Sequence, residues 1–368
     1  MKSETLPPAV AVVERLLEKA RELGASDLHL DPTESGIEVR ARFHGTLARI
    51  ETLPRSLGPR VVGRCKALAE LLVYQSDVPQ EGRIPSELSG IDTELRVATY
   101  PTLFGERVAL RLDAPDGAPR SLASLGLSDE LLAGLVPAIE QPEGMILLTG
   151  PSGSGKTTTL YSCLHHLTES VPARAIVTIE DPIERRIPGV TQTEVNPAAG
   201  LDFPAALRSL LRQDPEVILV GEIRDRETSA IAVEAALTGH LVASTLHAGR
   251  APLVFARLLE MGIEPFALTT VVRGVLAQRL LRRRCDAPAC GERCGRCHGS
   301  GFSGRCLVAE WLPMSPPLRQ AILARADGEA LTAAASTSGF RSLRDEAGAL
   351  LAQGITTAEE LDRVLGNA

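Results

Sequence analysis

The chain has 368 residues, a formal net charge of −7, and 44% hydrophobic against 23% charged residues. This length allows two or three domains, and the balance of apolar and charged residues excludes a disordered chain. The negative charge and an aromatic content of only 3% argue against a general nucleic-acid-binding protein. Since the start does not resemble a signal peptide and no uncharged apolar run reaches about eighteen residues, we expect a cytoplasmic protein that does not span a membrane.

The first part of the chain reads as a small α/β domain. Its predicted elements are a helix at 9–23, strands with a turn at His44-Gly45 within 36–50, a helix at 57–74, and a hairpin at 95–112. In the hairpin, a period of two places Arg96, Arg107 and Arg111 on the polar side. The sheet of this domain is therefore predicted to show arginines on one face.

A proline- and glycine-containing segment, DAPDGAPR, predicts a linker at 113–120 between domains at 1–112 and 121–368. Beyond it, apolar runs alternate with helical stretches, which predicts an α/β fold with a mostly parallel sheet. The runs lie at 145–149, 175–179, 217–220 and 241–246. We expect a small cysteine-rich insert at 285–306 and a mostly helical part at 307–368. Thr357 is the predicted N-cap of the last helix, with Glu360 three residues on.

The segment GPSGSGKT fits the phosphate-loop pattern G-x-x-x-x-G-K-[ST], with a predicted strand before it and a helix after it. Glycines let backbone N–H groups turn toward phosphate oxygens, and the helix N-terminus adds the positive end of its dipole. We expect Lys156 to reach the β- and γ-phosphates and the Thr157 hydroxyl to bind Mg²⁺. The predicted nucleotide-contacting residues are Gly150, Pro151, Ser152, Gly153, Ser154, Gly155, Lys156, Thr157 and Thr158.

Polar side chains follow three of the apolar runs. Glu222 comes after VILVG, His247 after LVASTL, and Glu180, Asp181 and Glu184 lie in TIEDPIE. Ligands of open α/β sheets bind at the carboxyl ends of the strands, so we expect these side chains around a nucleotide. Strand 217–220 is expected beside the phosphate-loop strand, which would place Glu222 near Mg²⁺ and the γ-phosphate.

Arginines are further candidates, because phosphoryl transfer spreads negative charge over the γ-phosphate oxygens. Arg208 and Arg212 share a face of a predicted helix in 203–215, and Arg96 and Arg111 lie on the first sheet. The alternative for each of them is an ordinary solvated arginine. A further basic run, RLLRRR at 279–284, is either a solvated helix end or a contact for anionic lipid or a partner.

Seven segments of the chain, taken in order, resemble the secretion ATPases that drive type II secretion and type IV pilus assembly. The segments are ASDLHL, VPQEGRI, LRVATYPTLFGERVALRL, GPSGSGKTTTLY, TIEDPIE, ALRSLLRQDPEVILVGEIRDRETSAIAVEAALTGHLVASTLHA and LAQRLLRR. The resemblance implies a homo-hexameric cytoplasmic motor at the inner membrane, with a PAS-like N-terminal domain and a RecA-like ATPase domain. It also implies inner-membrane platform proteins as partners, ATP and Mg²⁺ as ligands, and polymerisation of pilin or pseudopilin.

By position, the resemblance makes Glu184 the general base and Glu222 the second glutamate near the γ-phosphate. It implies that Arg96, Arg111, Arg208 and Arg212 close on the nucleotide and that His247 belongs to a histidine box. The sequence departs from the family at His44, where an aspartate is usual, and lacks a long extra N-terminal domain. Three alternatives to an assembly motor remain. They are a retraction or competence motor, a nucleic-acid translocase on the same core, and a subunit that binds nucleotide without hydrolysis.

Four of the seven cysteines are Cys285, Cys290, Cys294 and Cys297, whereas Cys65 and Cys163 lie alone among apolar neighbours and are expected in the core. In a cytosolic protein such a cluster indicates a metal site rather than disulfides. Assembly-type members of the family carry four cysteines here as a zinc site, with a long insertion that is nearly absent from this chain. Zinc is the favoured ligand, with a metal-free remnant or an iron–sulfur cluster as alternatives.

Overall fold

The structure is a computed structural model that describes residues 7–91, 94–112, 120–169, 173–287, 290–291, 294, 296–297, 299–337 and 339–366. The chain divides into two compact units, Met1–Gly117 and Ala118–Ala368. Apart from Arg120, the predicted linker 113–120 lies outside the described residues. None of the helices within those ranges combines the length and apolar character needed to cross a bilayer.

Unit 1 is one antiparallel sheet with helices on its apolar face. Its elements are α1 (Ala9–Glu22), β1 (Asp27–Pro32), β2 (Gly36–Phe43), β3 (Thr46–Pro54), α2 (Gly58–Leu68), β4 (Gln80–Ile84), α3 (Ser86–Ser89), β5 (Leu95–Thr102) and β6 (Gly105–Leu112). The strand order is β3-β2-β1-β6-β5-β4. The predicted turn at His44-Gly45 joins β2 to β3, and both residues have positive φ. The predicted helix at 57–74 is shorter, because Glu70 adopts a φ of 55° and ends it.

The two faces of the unit 1 sheet differ sharply. Alternate residues such as Val39, Val97 and Leu110 are buried against α1 and α2. On the other face, residues paired across strands form the row Arg83, Arg96, Arg111, Asp27 and Arg42. The expected arginine-bearing face is therefore present.

Unit 2 alternates strands and helices. Its elements are α4 (Asp129–Ile139), β7 (Gly144–Thr149), α5 (Lys156–Thr168), β8 (Ile176–Glu180), β9 (Thr191–Glu194), α6 (Phe203–Leu210), β10 (Val217–Val220), α7 (Arg226–Leu237), β11 (Leu241–Leu246), α8 (Ala251–Glu260), α9 (Pro265–Val271), β12 (Val272–Arg284), β13 (Phe302–Pro313), α10 (Pro316–Leu323), α11 (Gly328–Ser336), α12 (Leu343–Ala352) and α13 (Ala358–Leu365). The seven strands have the order β13-β12-β7-β11-β10-β8-β9. All neighbours are parallel except β12 and β13.

Helices cover both faces of this sheet. Met145, Leu147 and Ile218 belong to a core with α6 to α13, whereas Ile146 and Leu148 belong to a core with α4 and α5. Every residue of β7, β10 and β11 is buried, which explains their continuous apolar sequences. The expected mixed α/β fold, with a mostly parallel sheet and a helical C-terminal part, is confirmed.

Three expectations about unit 2 were wrong. The run RLLRRR is not a helix end: it lies in β12, which pairs with β7 on one side and β13 on the other. The helical part starts after Pro313 rather than near 307, because β13 comes first. The neighbours of β7 are β12 and β11, and β10 is separated from β7 by β11, which pairs with both of them. Strand order depends on crossovers that apolar patterning does not encode.

Candidate active site

The phosphate loop joins β7 to α5 and is packed tightly against β12. Gly150 has a φ of 151°, and a Cβ there would lie 2.5 Å from the Gln278 carbonyl oxygen and 2.6 Å from Ser154 Oγ. Gly153 and Gly155 also have positive φ, at 73° and 90°. The glycines of the motif therefore serve a sharp turn and, at Gly150, the close approach of a neighbouring strand.

Lys156 is the first residue of α5 and folds back onto the loop. Its Nζ donates to the carbonyl oxygens of Gly150 at 2.8 Å and Pro151 at 3.0 Å. Burial lowers the pKa of Lys156, the Glu222 and Glu184 carboxylates oppose that shift, and Arg279 adds to it. The ammonium group is thus within electrostatic reach of both glutamates that the sequence singles out.

Glu222 and His247 follow neighbouring strands and meet at the same edge of the sheet. His247 Nε2 lies 4.0 Å from Glu222 Oε2, and the His247 side chain is exposed. The other carboxylate oxygen of Glu222 forms an ion pair with Arg224, and this hydrogen bond raises the pKa of Arg224. The strand order differs from expectation, yet the expected meeting of these side chains is found.

Buried hydroxyl groups hold the strand ends in register. Thr245 Oγ1 donates to the Gly221 carbonyl oxygen at 2.8 Å, next to Glu222. Thr149 Oγ1 donates to the Ala248 carbonyl oxygen at 2.8 Å and accepts from the Ala248 amide at 2.9 Å, next to His247. These bonds fix the phosphate loop, Glu222 and His247 relative to one another.

The segment after β8 separates the three acidic residues that the sequence groups together. Glu180 is only 4% exposed and accepts hydrogen bonds from Tyr161 Oη, Thr178 Oγ1 and Gln192 Nε2. Asp181 and Glu184 are exposed, and Glu184 is one of the carboxylates felt by Lys156. Glu180 thus faces the protein interior, in contrast to the expected nucleotide contact, because three donors already surround its carboxylate.

The candidate arginines lie in three places. Arg208, on α6, forms an ion pair with Glu227, and Arg212 lies beyond the end of α6 at Leu210, with its Nη1 donating to the Arg208 carbonyl oxygen at 2.9 Å. The shared helix face expected for Arg208 and Arg212 is therefore absent. Arg96 and Arg111 lie opposite each other on β5 and β6 of unit 1. Their action on a nucleotide stays a prediction.

Sequence reasoning missed two residues of β12 that contact the loop. Gln278 is fully buried, and its Nε2 donates to the Ser154 carbonyl oxygen at 2.7 Å. Arg279 Nη2 donates to the Gly249 carbonyl oxygen at 2.6 Å, and Nη1 lies 3.3 Å from the Cβ position of Gly150. Arg279 begins the run RLLRRR, which was interpreted as a helix end, and Gln278 directly precedes it. No signal therefore connected these two residues to the nucleotide site.

The four clustered cysteines come together, with all Sγ atoms within 4.8 Å of one another. Cys285 Sγ lies 3.8 Å from Cys294 Sγ, and Cys290 Sγ lies 3.6 Å from Cys297 Sγ. Four sulfurs about 2.3 Å from a central Zn²⁺ in tetrahedral geometry are separated by roughly 3.8 Å. The sulfur arrangement therefore fits the zinc ion expected from the sequence. Cys65 and Cys163 are buried core residues, as expected.

The model of one protein family, described as "Type II/IV secretion system protein", matches residues 2–363 of this chain. The chain belongs to this family. Among its relatives is the type II secretion system protein HxcR of Pseudomonas aeruginosa, with 40% identity over 98% of this chain and 78% of the relative. The type II secretion system ATPase E of Vibrio cholerae has 39% identity over 99% of this chain and 76% of the relative.

Two solved structures share the fold. The Legionella pneumophila ATPase DotB superposes with a TM-score of 0.75 at 24% identity, covering 100% of this chain and 98% of DotB. The pilus retraction motor PilT, solved with bound ADP, superposes with a TM-score of 0.67 at 27% identity and 96% coverage of both chains. The resemblance drawn from the sequence motifs is thereby confirmed at the level of the family.

Proposed function

We propose that this secretion-family protein hydrolyses ATP to ADP and phosphate and acts as a hexameric motor for type II secretion or type IV pilus-like assembly. The supporting observation is the meeting of Glu222 and His247 at one edge of the sheet, where hydroxyl hydrogen bonds of Thr149 and Thr245 fix the strand ends beside the phosphate loop. In this proposal, unit 1 is the PAS-like domain and unit 2 the RecA-like ATPase domain. Hydrolysis would drive polymerisation of pilin or pseudopilin at an inner-membrane platform.

Each group of candidate residues has its own part in the proposed hydrolysis. Backbone N–H groups of the phosphate loop 150–157, which every residue except Pro151 carries, bind the phosphates, and Lys156 exchanges its loop carbonyl partners for phosphate oxygens. Glu184 accepts a proton from the attacking water as general base, and His247 contacts the γ-phosphate. Arginines stabilise the charge that develops during transfer, with Arg96, Arg111, Arg208 and Arg212 as the candidates.

The Thr157 hydroxyl and the Glu222 carboxylate are oxygen donors of the kind that Mg²⁺ prefers. Thr157 follows Lys156 at the start of α5, and Glu222 is among the charges that act on Lys156, so the donor set fits the ion. When bound, Mg²⁺ neutralises charge on the β- and γ-phosphates. In this structure Glu222 Oε1 forms an ion pair with Arg224, while Oε2 lies toward His247. In the cysteine cluster, Zn²⁺ would have a structural role.

Assembly is favoured over retraction by the tetracysteine cluster, a feature of assembly-type motors, and by relatives named as type II secretion proteins. A retraction or competence motor is the second candidate, and the structural similarity to the retraction motor PilT supports it. A nucleic-acid translocase on the same core is disfavoured by the net charge of −7.

Phosphate release from ATP tests the proposal on the full chain. We expect measurable turnover by the wild type that DNA does not increase. The Lys156→Ala and Glu222→Gln variants should turn over at least about a hundredfold more slowly. Lys156→Ala loses the positive charge that acts on the phosphates, and Glu222→Gln loses the carboxylate that would hold Mg²⁺. Lys19→Ala, a change at a half-buried lysine of unit 1 that pairs with Glu51, is the control and should match the wild type.

Equal phosphate release by the wild type, Lys156→Ala and Glu222→Gln would contradict the proposal. Stimulation by DNA would instead support the translocase. The solution mass of Glu222→Gln with ATP tests the ring, and a protein that stays at the 39.1 kDa of one chain would argue against a hexamer.

A further inference from the structure

We propose that Tyr161 is a positioning residue that holds Glu184 at a fixed distance from the phosphate loop. This inference rests on the proposed ATPase function and on the role of Glu184 as general base within it. Tyr161 lies on α5, the helix that begins with Lys156, and its side chain is only 5% exposed. No motif in the sequence assigns it a role.

The Tyr161 hydroxyl joins two parts of the segment that follows β8. It donates to Glu180 Oε2, and it accepts from the Glu184 backbone N–H at 3.2 Å. Burial and the hydrogen bond to Glu180 raise the pKa of Tyr161, so the hydroxyl keeps its proton. Because that proton is directed to Glu180, a lone pair is available to the Glu184 amide.

Other side chains secure the rest of the segment. Gln192 Nε2 donates to Glu180 Oε1 at 3.0 Å and to the Arg185 carbonyl oxygen at 2.9 Å, and its Oε1 accepts from the Ile187 amide at 2.7 Å. The Ile183 amide donates to Glu194 Oε2 at 3.0 Å. The backbone around Glu184 is therefore anchored to β9, while Tyr161 supplies the contact to α5.

This contact matters because the Glu184 side chain is exposed and would otherwise depend on a loop. A helix is rigid over one or two turns, so the hydroxyl transmits the position of the Lys156 end of α5 to the Glu184 backbone. Hydrolysis requires the base and the phosphates to be aligned, and a misplacement of about 1 Å costs up to a hundredfold in rate. Binding of ATP does not require that alignment.

The test is Tyr161→Phe, which removes only the hydroxyl. We expect kcat for ATP to fall about 10- to 100-fold. The Kd for a fluorescent ATP analogue should stay within about twofold, since the contacts of the phosphate loop are unchanged. Tyr74→Phe is the matched control, because its ring is 84% exposed, and it should behave as the wild type.

A second variant separates positioning from a general loosening of the buried carboxylate. Thr178→Val removes another donor to Glu180, at 2.6 Å, without touching Glu184. We expect it to keep most of the wild-type kcat. An unchanged kcat in Tyr161→Phe, equal losses in both variants, or loss of nucleotide binding in Tyr161→Phe would each overturn the inference.

Hydrogen exchange tests the contact without any catalysis. In the wild type the Glu184 amide should be protected, and in Tyr161→Phe it should exchange at least about tenfold faster. An unprotected amide in the wild type would overturn the inference, even if the variant did not fold. A wild type without ATP turnover but with a protected amide would instead defeat the proposed function and leave the positioning contact standing.

Discussion

At Gly150, the backbone of β12 comes closer to the phosphate loop than any side chain would allow. The Gln278 carbonyl oxygen and Ser154 Oγ occupy the space of a Cβ. At Gly153 nothing lies within 4 Å of the Cβ position, although φ is also positive. A side chain at Gly150 would therefore meet both steric crowding and backbone strain, whereas a side chain at Gly153 would meet backbone strain alone.

Gly150→Ala should reduce kcat/KM for ATP by about a hundredfold or more, because the loop must move away from β12 and loses its phosphate-binding shape. Gly153→Ala carries only the cost of positive φ, about 1–2 kcal/mol, and should retain more activity. Steady-state phosphate release measures both variants. Equal activity of the two would show that the contact with β12 does not matter.

At the residue scale, the sequence predicts chemistry better than positioning. Lys156 was singled out by the phosphate-loop pattern, and Glu222 and His247 were singled out because charged or polar residues after apolar strands are conspicuous. Gln278 and Tyr161 were missed because a glutamine in a strand and a tyrosine in a helix are ordinary residues until their partners are known. Glu180 shows the opposite error, since a carboxylate in an acidic segment can face the interior.

At the scale of elements, α13 is attached to β12 through one buried carboxylate. Glu360 accepts from the Arg282 backbone N–H at 2.8 Å and from the side chains of Arg282 and Arg363. Burial would raise the pKa of Glu360, but these arginines lower it to about 2. Thr357 caps α13 as expected, because its side chain accepts from the Glu360 backbone N–H. The Glu360 carboxylate binds the arginines and does not complete a capping box.

The pKa of Glu360 predicts a pH-dependent stability. Its value in the folded protein lies below the ordinary value of 4.5, so the stabilisation is complete above pH 4.5 and is lost as the pH falls toward 2. Glu360→Gln should lower the free energy of unfolding at pH 7 by roughly 3 kcal/mol. The difference from the wild type should shrink at pH 3.

Denaturant titrations at pH 7 and pH 3 measure this effect. Glu359→Gln, a change at the neighbouring exposed residue, is the control and should cost far less. A deficit of Glu360→Gln that is the same at both pH values would contradict the assignment of the stabilisation to the ionised carboxylate.

The cysteine cluster makes a prediction about metal content. Protein purified without chelator should contain about one zinc ion per chain, and Cys294→Ser and Cys297→Ser should lower that amount. Cys306→Ser is the matched control, since Cys306 lies on β13 outside the cluster. Less than about half an equivalent of zinc in the wild type, measured by mass spectrometry, would end the zinc assignment.

Element types were largely predictable, whereas strand neighbours were not. The apolar runs became β7, β8, β10 and β11 because a doubly covered parallel strand has no polar face. The interpretation of RLLRRR in β12 was wrong because its leucines and arginines also fit a helix. Pairing of β12 with β7 and β13 overrides that local preference. The position of β11 between β7 and β10 depends on the whole sheet.

At the scale of the whole molecule, the division into two units follows the predicted change in sequence texture. Unit 1 has its own core from α1, α2 and one face of its sheet, and unit 2 has a core on each face of its sheet. Composition and periodicity suffice for such an organisation, because each unit buries its own apolar residues. The proposed action of unit 1 arginines on a nucleotide would depend on the assembly, which a single chain does not encode locally.

Strand β12 connects three parts of unit 2 that bear on activity. β12 supports the phosphate loop at Gln278, anchors the last helix at Arg282, and leads into the first metal-ligand candidate at Cys285. Stripping metal from the thiols or deleting the chain end would disturb the same backbone that supports the nucleotide loop. If removal of the thiol-bound ion abolished hydrolysis with Mg²⁺ in excess, the loss would then reflect the damaged support of the loop and not a zinc ion that takes part in hydrolysis.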